Sequence, residues 1–384
     1  MILTRAMIPL ALLISGASGA AESVRPIIDT HIHYSHDAWQ LLPPVRAVEV
    51  LREAGLARAF VSSSNDDGTQ KLFEVAPELI VPVLRPYRRR GETESWMHDQ
   101  SVLQMLEDRL SRYQYAGIGE FHAFGEDIEL PVLQGVIELA REHGLFLHAH
   151  SDADAIQRIF AHHPDAVVLW AHSGFDSAEQ IAAMLRRYPR LWADLAFRSE
   201  HAYENTINPA WRKLFEEFPG RFMLGTDTYT PERWFYVVDH ADSSRLWLAQ
   251  LPDELAQGIA SVNALKLLSH TSFGRCAGPG ETLRSDGFSV NFSIEPEDIQ
   301  VGQPFSLVMR ICENGKPWSG GLDVDAGMPS HGHGMNYRLE IQAAGGGAYN
   351  ANGLVFHMPG EWRLSFRLST ENGSLELQHT ITLQ

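Results

Sequence analysis

The sequence contains little cysteine and little positive charge. Cys276 and Cys312 are its only cysteines in 384 residues. They could pair and tether the two halves of the molecule, or both could be free and buried, since a sequence gives no Cα separation. Lysine and arginine total 31 against 48 acidic residues, a formal net charge of -17. Because so acidic a chain is repelled by nucleic acid and anionic membranes, we expect no nucleic-acid partner.

The N-terminal segment lacks an apolar run of the about 20 residues that a membrane-spanning helix needs. Arg5 precedes a short apolar stretch, Met7 to Ile14, and small residues fill positions 15–20. This order is typical of a secretory signal peptide. We expect residues 1–20 to be a signal peptide cleaved near Ala20, and the protein to be periplasmic without stable membrane insertion. A retained membrane anchor is the alternative.

A dinucleotide-binding turn is also missing, because no Gly-x-Gly-x-x-Gly follows the first apolar run. This absence counts against an open doubly wound sheet. Residues 26–270 instead alternate short apolar runs with amphipathic stretches of helical period. The eight apolar runs are Pro26–His33, Leu56–Ser62, Leu79–Leu84, Tyr115–His122, Leu145–His150, Ala166–His172, Leu191–Phe197 and Phe222–Asp227. Eight such units predict an α/β fold, a (β/α)₈ TIM barrel over residues 26–270.

The chain changes character after Leu268. Residues 271–286 are rich in Gly, Ser, Thr and Pro and are expected to be a linker. Residues 287–384 alternate apolar and polar side chains with period two, as in Trp362–Leu368. Turn signals such as Asn-Gly separate these runs. We expect a small all-β, immunoglobulin-like sandwich after the barrel.

Residues able to ligate a metal lie at the C-terminal ends of the predicted barrel strands, the face that carries active sites in such barrels. They are His33, Glu120, His150, His172 and Asp227. His31 lies two positions before His33 and points to the same side of the strand, so both imidazoles can ligate one ion. Asp29, one layer deeper, could orient a ligand histidine.

Several choices remain open within this set. His148 and His150 share one face of a strand, and His150 is preferred because it is nearer the barrel mouth. Asp227 could ligate metal and take the proton from an attacking water. Arg85, Arg198 and Trp234 also follow barrel strands, where they would contact substrate or serve as surface and packing residues.

These motifs, Asp29-Thr-His-Ile-His33, Gly119-Glu120, His150, His172-Ser-Gly and Gly225-Thr-Asp227, resemble those of the amidohydrolase superfamily, in particular its amidohydrolase-related and TatD-like branches. The resemblance covers about residues 26–270. It implies one or two divalent ions, usually zinc, held by His31, His33, Glu120, His150, His172 and Asp227, with Asp227 also as general base. The TatD-like pattern fits imperfectly, since no arginine follows His150 by two positions.

The β-domain carries a second candidate metal segment. Met328-Pro-Ser-His-Gly-His-Gly-Met335 places two thioethers and two imidazoles within eight residues. Soft sulfur and imidazole ligands suit copper, so Met328, His331, His333 and Met335 are candidate copper ligands. An exposed turn with inward-packed methionines is the alternative. The region 286–384 resembles small YtkA-like and FixH-like β-domains, which implies an accessory module.

The leading hypothesis is therefore an exported metal-dependent hydrolase that acts on a small molecule. Metal-activated water would attack an ester, lactone, amide or phosphoester bond. One alternative is a non-catalytic copper- or metal-handling protein of the cell envelope. The other is a decarboxylase-type lyase that uses a single metal and leaves Glu120 uninvolved.

Overall fold

The computed structural model describes residues 25–276, 280–314, 316–335, 339–345, 347–370 and 373–383. The expected signal peptide, 1–20, lies outside the described residues. Among the described residues, no helix combines the length and the apolar character that crossing a membrane requires.

The first part of the chain is the predicted (β/α)₈ barrel. The strands of this part are β1 Ile27–Ile32, β2 Leu56–Val61, β3 Ile80–Leu84, β4 Gly117–His122, β5 Phe146–His150, β6 Val168–Trp170, β7 Leu191–Asp194, β8 Ala202–Tyr203, β9 Thr206–Ile207 and β10 Phe222–Met223. Strands β8 and β9 form a separate short hairpin, and the other eight form the barrel. The barrel sheet runs β1-β2-β3-β4-β5-β6-β7-β10, with each neighbouring pair parallel. The backbone N–H of Thr30 donates to the Leu224 carbonyl at 2.9 Å, which brings β1 against the end of β10.

Helices surround this sheet and continue into the junction with the second domain. They are α1 Pro44–Glu53, α2 Asp67–Val75, α3 Ser101–Arg112, α4 Pro131–His143, α5 Ala153–His162, α6 Ala178–Arg187, α7 Pro209–Glu217, α8 Val237–Leu248, α9 Asp253–Gln257, α10 Asn263–Ser269 and α11 Ser272–Cys276. Local signals set their ends. Pro131 begins α4 and Gly144, at φ 63°, ends it in the left-handed region. Ser177 caps the start of α6 through the backbone N–H of Gln180.

Two apolar layers hold the barrel together. An outer layer packs the strands against the helices, with members such as Val61 and Leu133. A separate inner cluster, with Phe60, Phe146 and Trp192, fills the barrel and is closed by residues of α10. The interior is therefore packed, and the site lies at the open C-terminal end of the strands.

The second part is an antiparallel β-sandwich. Its strands are β11 Glu281–Ser285, β12 Phe288–Glu295, β13 Pro304–Glu313, β14 Lys316–Pro317, β15 Leu322–Met328, β16 His333–Gly334, β17 Ile341–Gly345, β18 Ala348–Val355, β19 Gly360–Thr370 and β20 Gly373–Leu383. One sheet runs β11-β12-β13-β18-β17 with β14 on β13, and the other runs β16-β15-β19-β20. Alternate residues of both sheets bury one core, which includes the stacked rings of Phe356 and Trp362.

The described residues of the predicted linker, 271–276 and 280–286, include a helix and a strand. Helix α11 and strand β11 occupy most of the predicted linker, and β11 pairs with β12. Cys276 of α11 forms a disulfide with Cys312 of β13, with a Cα–Cα separation of 5.7 Å. The cysteines therefore pair, and the disulfide fastens the end of the barrel chain to the sandwich.

Candidate functional site

His31 and His33 direct their Nε2 atoms toward the same point at the barrel mouth. Both side chains are buried, and neither Nε2 atom has a hydrogen-bond partner. Carboxylate oxygens of two residues face these atoms. Glu120 Oε1 lies 3.4 Å and Asp227 Oδ1 3.6 Å from His31 Nε2, while Glu120 Oε2 and Asp227 Oδ1 each lie 3.3 Å from His33 Nε2. A buried polar atom without a partner is costly, so this geometry suits a cation between the imidazoles and the carboxylates.

The other ring nitrogens of these two histidines are held by the protein. His31 Nδ1 donates to Asp194 Oδ2 at 3.1 Å, and His33 Nδ1 donates to the Ser62 carbonyl at 2.5 Å. When neutral, each ring therefore carries its proton on Nδ1 and presents the lone pair of Nε2. That is the tautomer that a metal ligand needs.

Asp194, at the end of β7, organises three histidines and was missed in the sequence. Its Oδ2 accepts from His31 Nδ1 and from His148 Nε2, each at 3.1 Å, and its Oδ1 accepts the backbone N–H of His172 at 2.8 Å. Burial raises the pKa of this carboxyl, but the His31 charge and the imidazole hydrogen bonds outweigh it and hold that pKa well below its usual range. A lone carboxylate within the apolar run Leu191–Phe197 was the available signal.

Glu120 lies at the centre of the cluster and is ion-paired with Arg85. Arg85 Nη2 donates to Glu120 Oε2 at 2.7 Å, and both residues are buried. Glu120 Oε1 faces His150 Nδ1 at 2.8 Å and His172 Nε2 at 3.3 Å. Burial raises the pKa of Glu120, but the nearby His31 charge and the imidazole hydrogen bonds hold it well below its ordinary value. Arg85 thus contacts Glu120 within the site.

The two histidines of β5 have different positions. His150 reaches Glu120 and His172, whereas His148 lies beneath the site against Asp194. Burial lowers the pKa of His148 to about 4, which keeps its ring neutral. The structure therefore groups His150, and not His148, with Glu120 and His172.

His172 and Asp227 reach the site from loops beyond the strand ends. His172 has φ 54° in the turn after β6, and its Nδ1 donates to the Ala196 carbonyl at 2.8 Å. Asp227, four residues after β10, has φ 50° and its backbone N–H donates to the His31 carbonyl at 2.8 Å. Non-glycine residues rarely adopt such φ values, and when they do the surrounding contacts enforce them.

The structure places Asp29, Arg198 and Trp234 outside the lining of the cleft. Asp29 does not touch a ring, since its carboxylate accepts the backbone N–H groups of His31 and Thr226 at 3.0 and 3.1 Å. Arg198 donates to the His172 and Asp176 carbonyls and does not line the cleft. Trp234 is buried and donates to the His33 carbonyl at 3.2 Å. All three support the backbone around the candidate ligands.

Three groups of side chains could each hold an ion within the described part of the chain. They are His31, His33 and Asp227; His31, His172 and Asp194; and Glu120, His150 and His172. The first group contains the two unpartnered Nε2 atoms. Imidazole and carboxylate ligands suit zinc and similar divalent ions.

A cleft of about 330 Å³ opens directly above these residues. Its floor is formed by His33, Glu120, His150, His172 and Asp227. Aromatic side chains line its wall, and Phe175, Phe197 and Tyr229 are 50%, 53% and 40% exposed. This volume suits a small molecule.

The second-domain segment is only partly described. Met328 is buried in the sandwich core, and Met335 packs against that core. His331 is exposed at the turn, while the side chain of His333 lies outside the described residues. Copper binding by Met328, His331, His333 and Met335 therefore stays a prediction.

The chain matches several solved structures at low identity. A TIM-barrel protein of Bordetella bronchiseptica matches with 16% identity and a TM-score of 0.45, over 64% of this chain and 99% of that one. A beta-aspartyl dipeptidase of Fervidobacterium islandicum matches with 13% identity and a TM-score of 0.42, over 63% and 72%. A DUF4426 family protein of Pseudomonas aeruginosa, at 13% identity and a TM-score of 0.22, covers 27% of this chain and 98% of its own. These likenesses carry no information on activity.

Comparison by sequence gives a family. No curated protein gives a significant match. The amidohydrolase family matches residues 28–269, which span the barrel from β1 to α10 and include all the barrel residues proposed as ligands. The chain belongs to the amidohydrolase family.

Proposed function

We propose that this protein is an exported hydrolase that cleaves an ester, lactone, amide or phosphoester bond of a small molecule. Amidohydrolases are a metal-dependent family, and the described residues include clusters that could hold an ion. The observation that carries the proposal is the convergence of two buried, unpartnered Nε2 atoms and the Asp227 carboxylate at the floor of a cleft.

His31, His33 and Asp227 would hold the ion, and zinc suits this donor set. A bound divalent ion would lower the pKa of a water molecule enough to supply hydroxide near neutral pH. In the metal-free protein, two effects act on the pKa of His31. Burial lowers this pKa, but the charges of Glu120, Asp194 and Asp227 have the larger effect and raise it well above its ordinary value. A proton on His31 thus compensates these carboxylates, and metal binding would release it.

Asp227 is the residue best placed to manage the proton of the reaction. Its carboxylate contacts both unpartnered imidazoles and lines the cleft, so it can accept a proton from water and return it to a leaving group. Burial raises the pKa of Asp227, but the His31 charge and the adjacent His33 imidazole lower it to about 2. The carboxylate is therefore in its basic form at neutral pH.

Export is part of the proposal. Residues 1–20 have the order of a signal peptide. The Cys276–Cys312 disulfide suits an oxidising compartment such as the periplasm, where such bonds persist. Detection of the chain in a periplasmic fraction with its N-terminus at residue 21 would be the expected result, and retention of residues 1–20 in the cytoplasm would refute export.

The test of function combines metal content with hydrolysis. The purified protein, supplied with zinc, is analysed for bound metal and assayed against nitrophenyl esters, a lactone, nitroanilides and nitrophenyl phosphate. We expect at least one ion per chain and cleavage of one substrate class. Asp227→Asn should lower kcat by about 10²-fold or more, because it removes the proton acceptor. Asp239→Asn, in α8 and away from the cleft, is the matched control. A metal content below about a tenth of an ion per chain, or an unchanged kcat in Asp227→Asn, would refute the proposal.

A lyase that uses one metal is the second candidate, and one observation favours it. Arg85 Nη2 donates a hydrogen bond to Glu120 Oε2 at 2.7 Å, so a guanidinium already neutralises the carboxylate that would bridge two ions. One bound ion per chain, with carbon dioxide released from a carboxylic acid and no hydrolysis of the substrate panel, would favour this alternative.

A further inference from the structure

His122 lies at the end of β4, lines the cleft and holds none of the candidate ion positions. Its ring stacks on that of His150, with centroids 4.1 Å apart and planes 25° apart. Its contacts with Tyr87 determine which of its nitrogens carries the proton.

Tyr87 makes two hydrogen bonds to the same residue. The backbone N–H of His122 donates to Tyr87 Oη at 2.8 Å, and Tyr87 Oη also lies 2.8 Å from His122 Nδ1. The phenol has a single hydrogen to donate. Since the backbone N–H is always a donor, Tyr87 Oη accepts there and is free to donate only to Nδ1.

The opposite arrangement leaves a buried donor without a partner. If His122 carried its proton on Nδ1, Tyr87 Oη would accept twice and its own hydrogen would find no acceptor among the contacts of the described residues. Tyr87 lines the cleft but is only 2% exposed, so water has little access to that hydrogen. An unsatisfied buried donor is unfavourable, and the arrangement with Nδ1 as acceptor avoids it.

The ring of Tyr87 is fixed in this position. The phenol ring packs against the ring of Trp96, with centroids 6.0 Å apart. The Arg85 guanidinium carbon lies 4.8 Å from the centre of the phenol ring. The Trp96 indole N–H also donates to the His122 carbonyl at 3.2 Å. Both the backbone and the ring of His122 are therefore held against movement.

We propose that Tyr87 locks His122 in the Nε2–H tautomer, and that this N–H donates to an oxygen of the substrate in the cleft. The ligand class is a molecule whose reacting group carries or develops a negative oxygen, such as a carboxylate, a phosphoryl group or a carbonyl under attack. This role rests on the proposed function, because it assumes that the reacting group lies above the candidate ligands. His122 is then a binding residue, and Tyr87 is a positioning residue that acts through it.

The tautomer can be observed directly. Protein labelled with ¹⁵N in histidine gives long-range proton–nitrogen spectra that distinguish an Nδ1–H ring from an Nε2–H ring. The signals that disappear in His122→Gln identify this residue. We expect the Nε2–H pattern in the unaltered protein, and a changed or averaged pattern in Tyr87→Phe, which keeps the ring and removes the donor.

The donor role is tested with inorganic phosphate as the probe, on the zinc-supplied protein. His122→Leu should weaken phosphate binding about tenfold, because a hydrogen bond to a charged acceptor is lost. His122→Gln offers an amide N–H in a similar place and should recover most of that affinity. Bound metal and thermal unfolding are measured in each variant, so that loss of the ion or of the fold is recognised.

An Nδ1–H pattern in the unaltered protein, or an unchanged pattern in Tyr87→Phe, overturns the lock. Equal phosphate affinity in the unaltered protein and His122→Leu, including no binding in either, overturns the donor role. Neither measurement needs turnover. Should no probe substrate be cleaved, the proposed hydrolase function fails while the assignment for His122 is still decided.

Discussion

Replacing Asp194 with Asn should weaken metal binding without removing a ligand of the proposed His31, His33 and Asp227 site. The amide oxygen can keep the backbone N–H groups of His172 and Ala196, now 2.8 and 3.0 Å from Oδ1. The amide nitrogen then faces the position where His31 Nδ1 now donates at 3.1 Å. His31 would move its proton to Nε2, and that nitrogen could no longer present a lone pair.

The magnitude follows from the hydrogen bond that holds the tautomer. A hydrogen bond to a charged group is worth about 1.5–3 kcal/mol. Restoring the ligating tautomer in the variant forfeits that energy, which corresponds to about 10- to 100-fold in affinity. Loss of such an outer partner of a metal-bound histidine typically costs about the same.

The assay is a competition titration of the metal-free protein with zinc and a coloured chelator. Asp66→Asn is the matched control, because Asp66 is also a buried carboxylate with hydrogen-bonding partners but has no contact with the candidate ligands. Its zinc affinity should stay within about twofold of the unaltered protein, since no ligand tautomer changes. Equal affinities in Asp194→Asn and the unaltered protein would refute the assignment of Asp194 as the residue that orients His31.

Three further predictions concern stability. Arg85→Met leaves the buried Glu120 carboxylate without its guanidinium and should lower the free energy of urea unfolding of the metal-free protein by about 3–5 kcal/mol. The control Arg52→Met breaks an exposed pair with Glu78 and should lower it by less than about 1 kcal/mol. Equal losses in the two variants would contradict this prediction. Burial raises the pKa of Asp66 from 3.8 to about 6, so the folded protein holds a proton that the unfolded chain has released between these values. Stability should therefore fall by up to about 3 kcal/mol as pH rises from about 4 to 6, and Asp66→Asn should abolish that part of the pH dependence. Replacing Cys276 and Cys312, which are 36 residues apart, with serine should lower the free energy of unfolding by about 2–4 kcal/mol; an unchanged denaturation midpoint would show that the disulfide does not stabilise the fold.

Much of the candidate site follows from strand ends alone. His33 and His150 each close an apolar run and Glu120 lies near the end of another, and parallel strands in a barrel bring their C-terminal ends to one face. The structure places these three side chains in one cleft with His172 and Asp227. The sequence favoured His150 over His148 because His150 is nearer the barrel mouth, but it left the choice open because both share one face of the strand.

The missed features depend on contacts between residues far apart in the chain. Asp194 reaches His31 across 163 positions, and Arg85 reaches Glu120 across 35. Neither the period of apolar residues nor the spacing of motifs predicts such pairs. The role of Tyr87 is similar, since only the distances to His122 show which ring nitrogen carries the proton.

By itself, the sequence determined the barrel, the β-sandwich after it and the cluster of candidate metal ligands. The period of apolar residues and the number of strands can be read locally, and in a barrel strands that follow one another in sequence lie side by side. The tertiary structure decided the pairing of Cys276 with Cys312, the helix and the strand in the described parts of 271–286, and the orientation of the imidazoles. Each of these depends on distances across the fold and on which buried donors and acceptors meet, which a linear sequence does not contain.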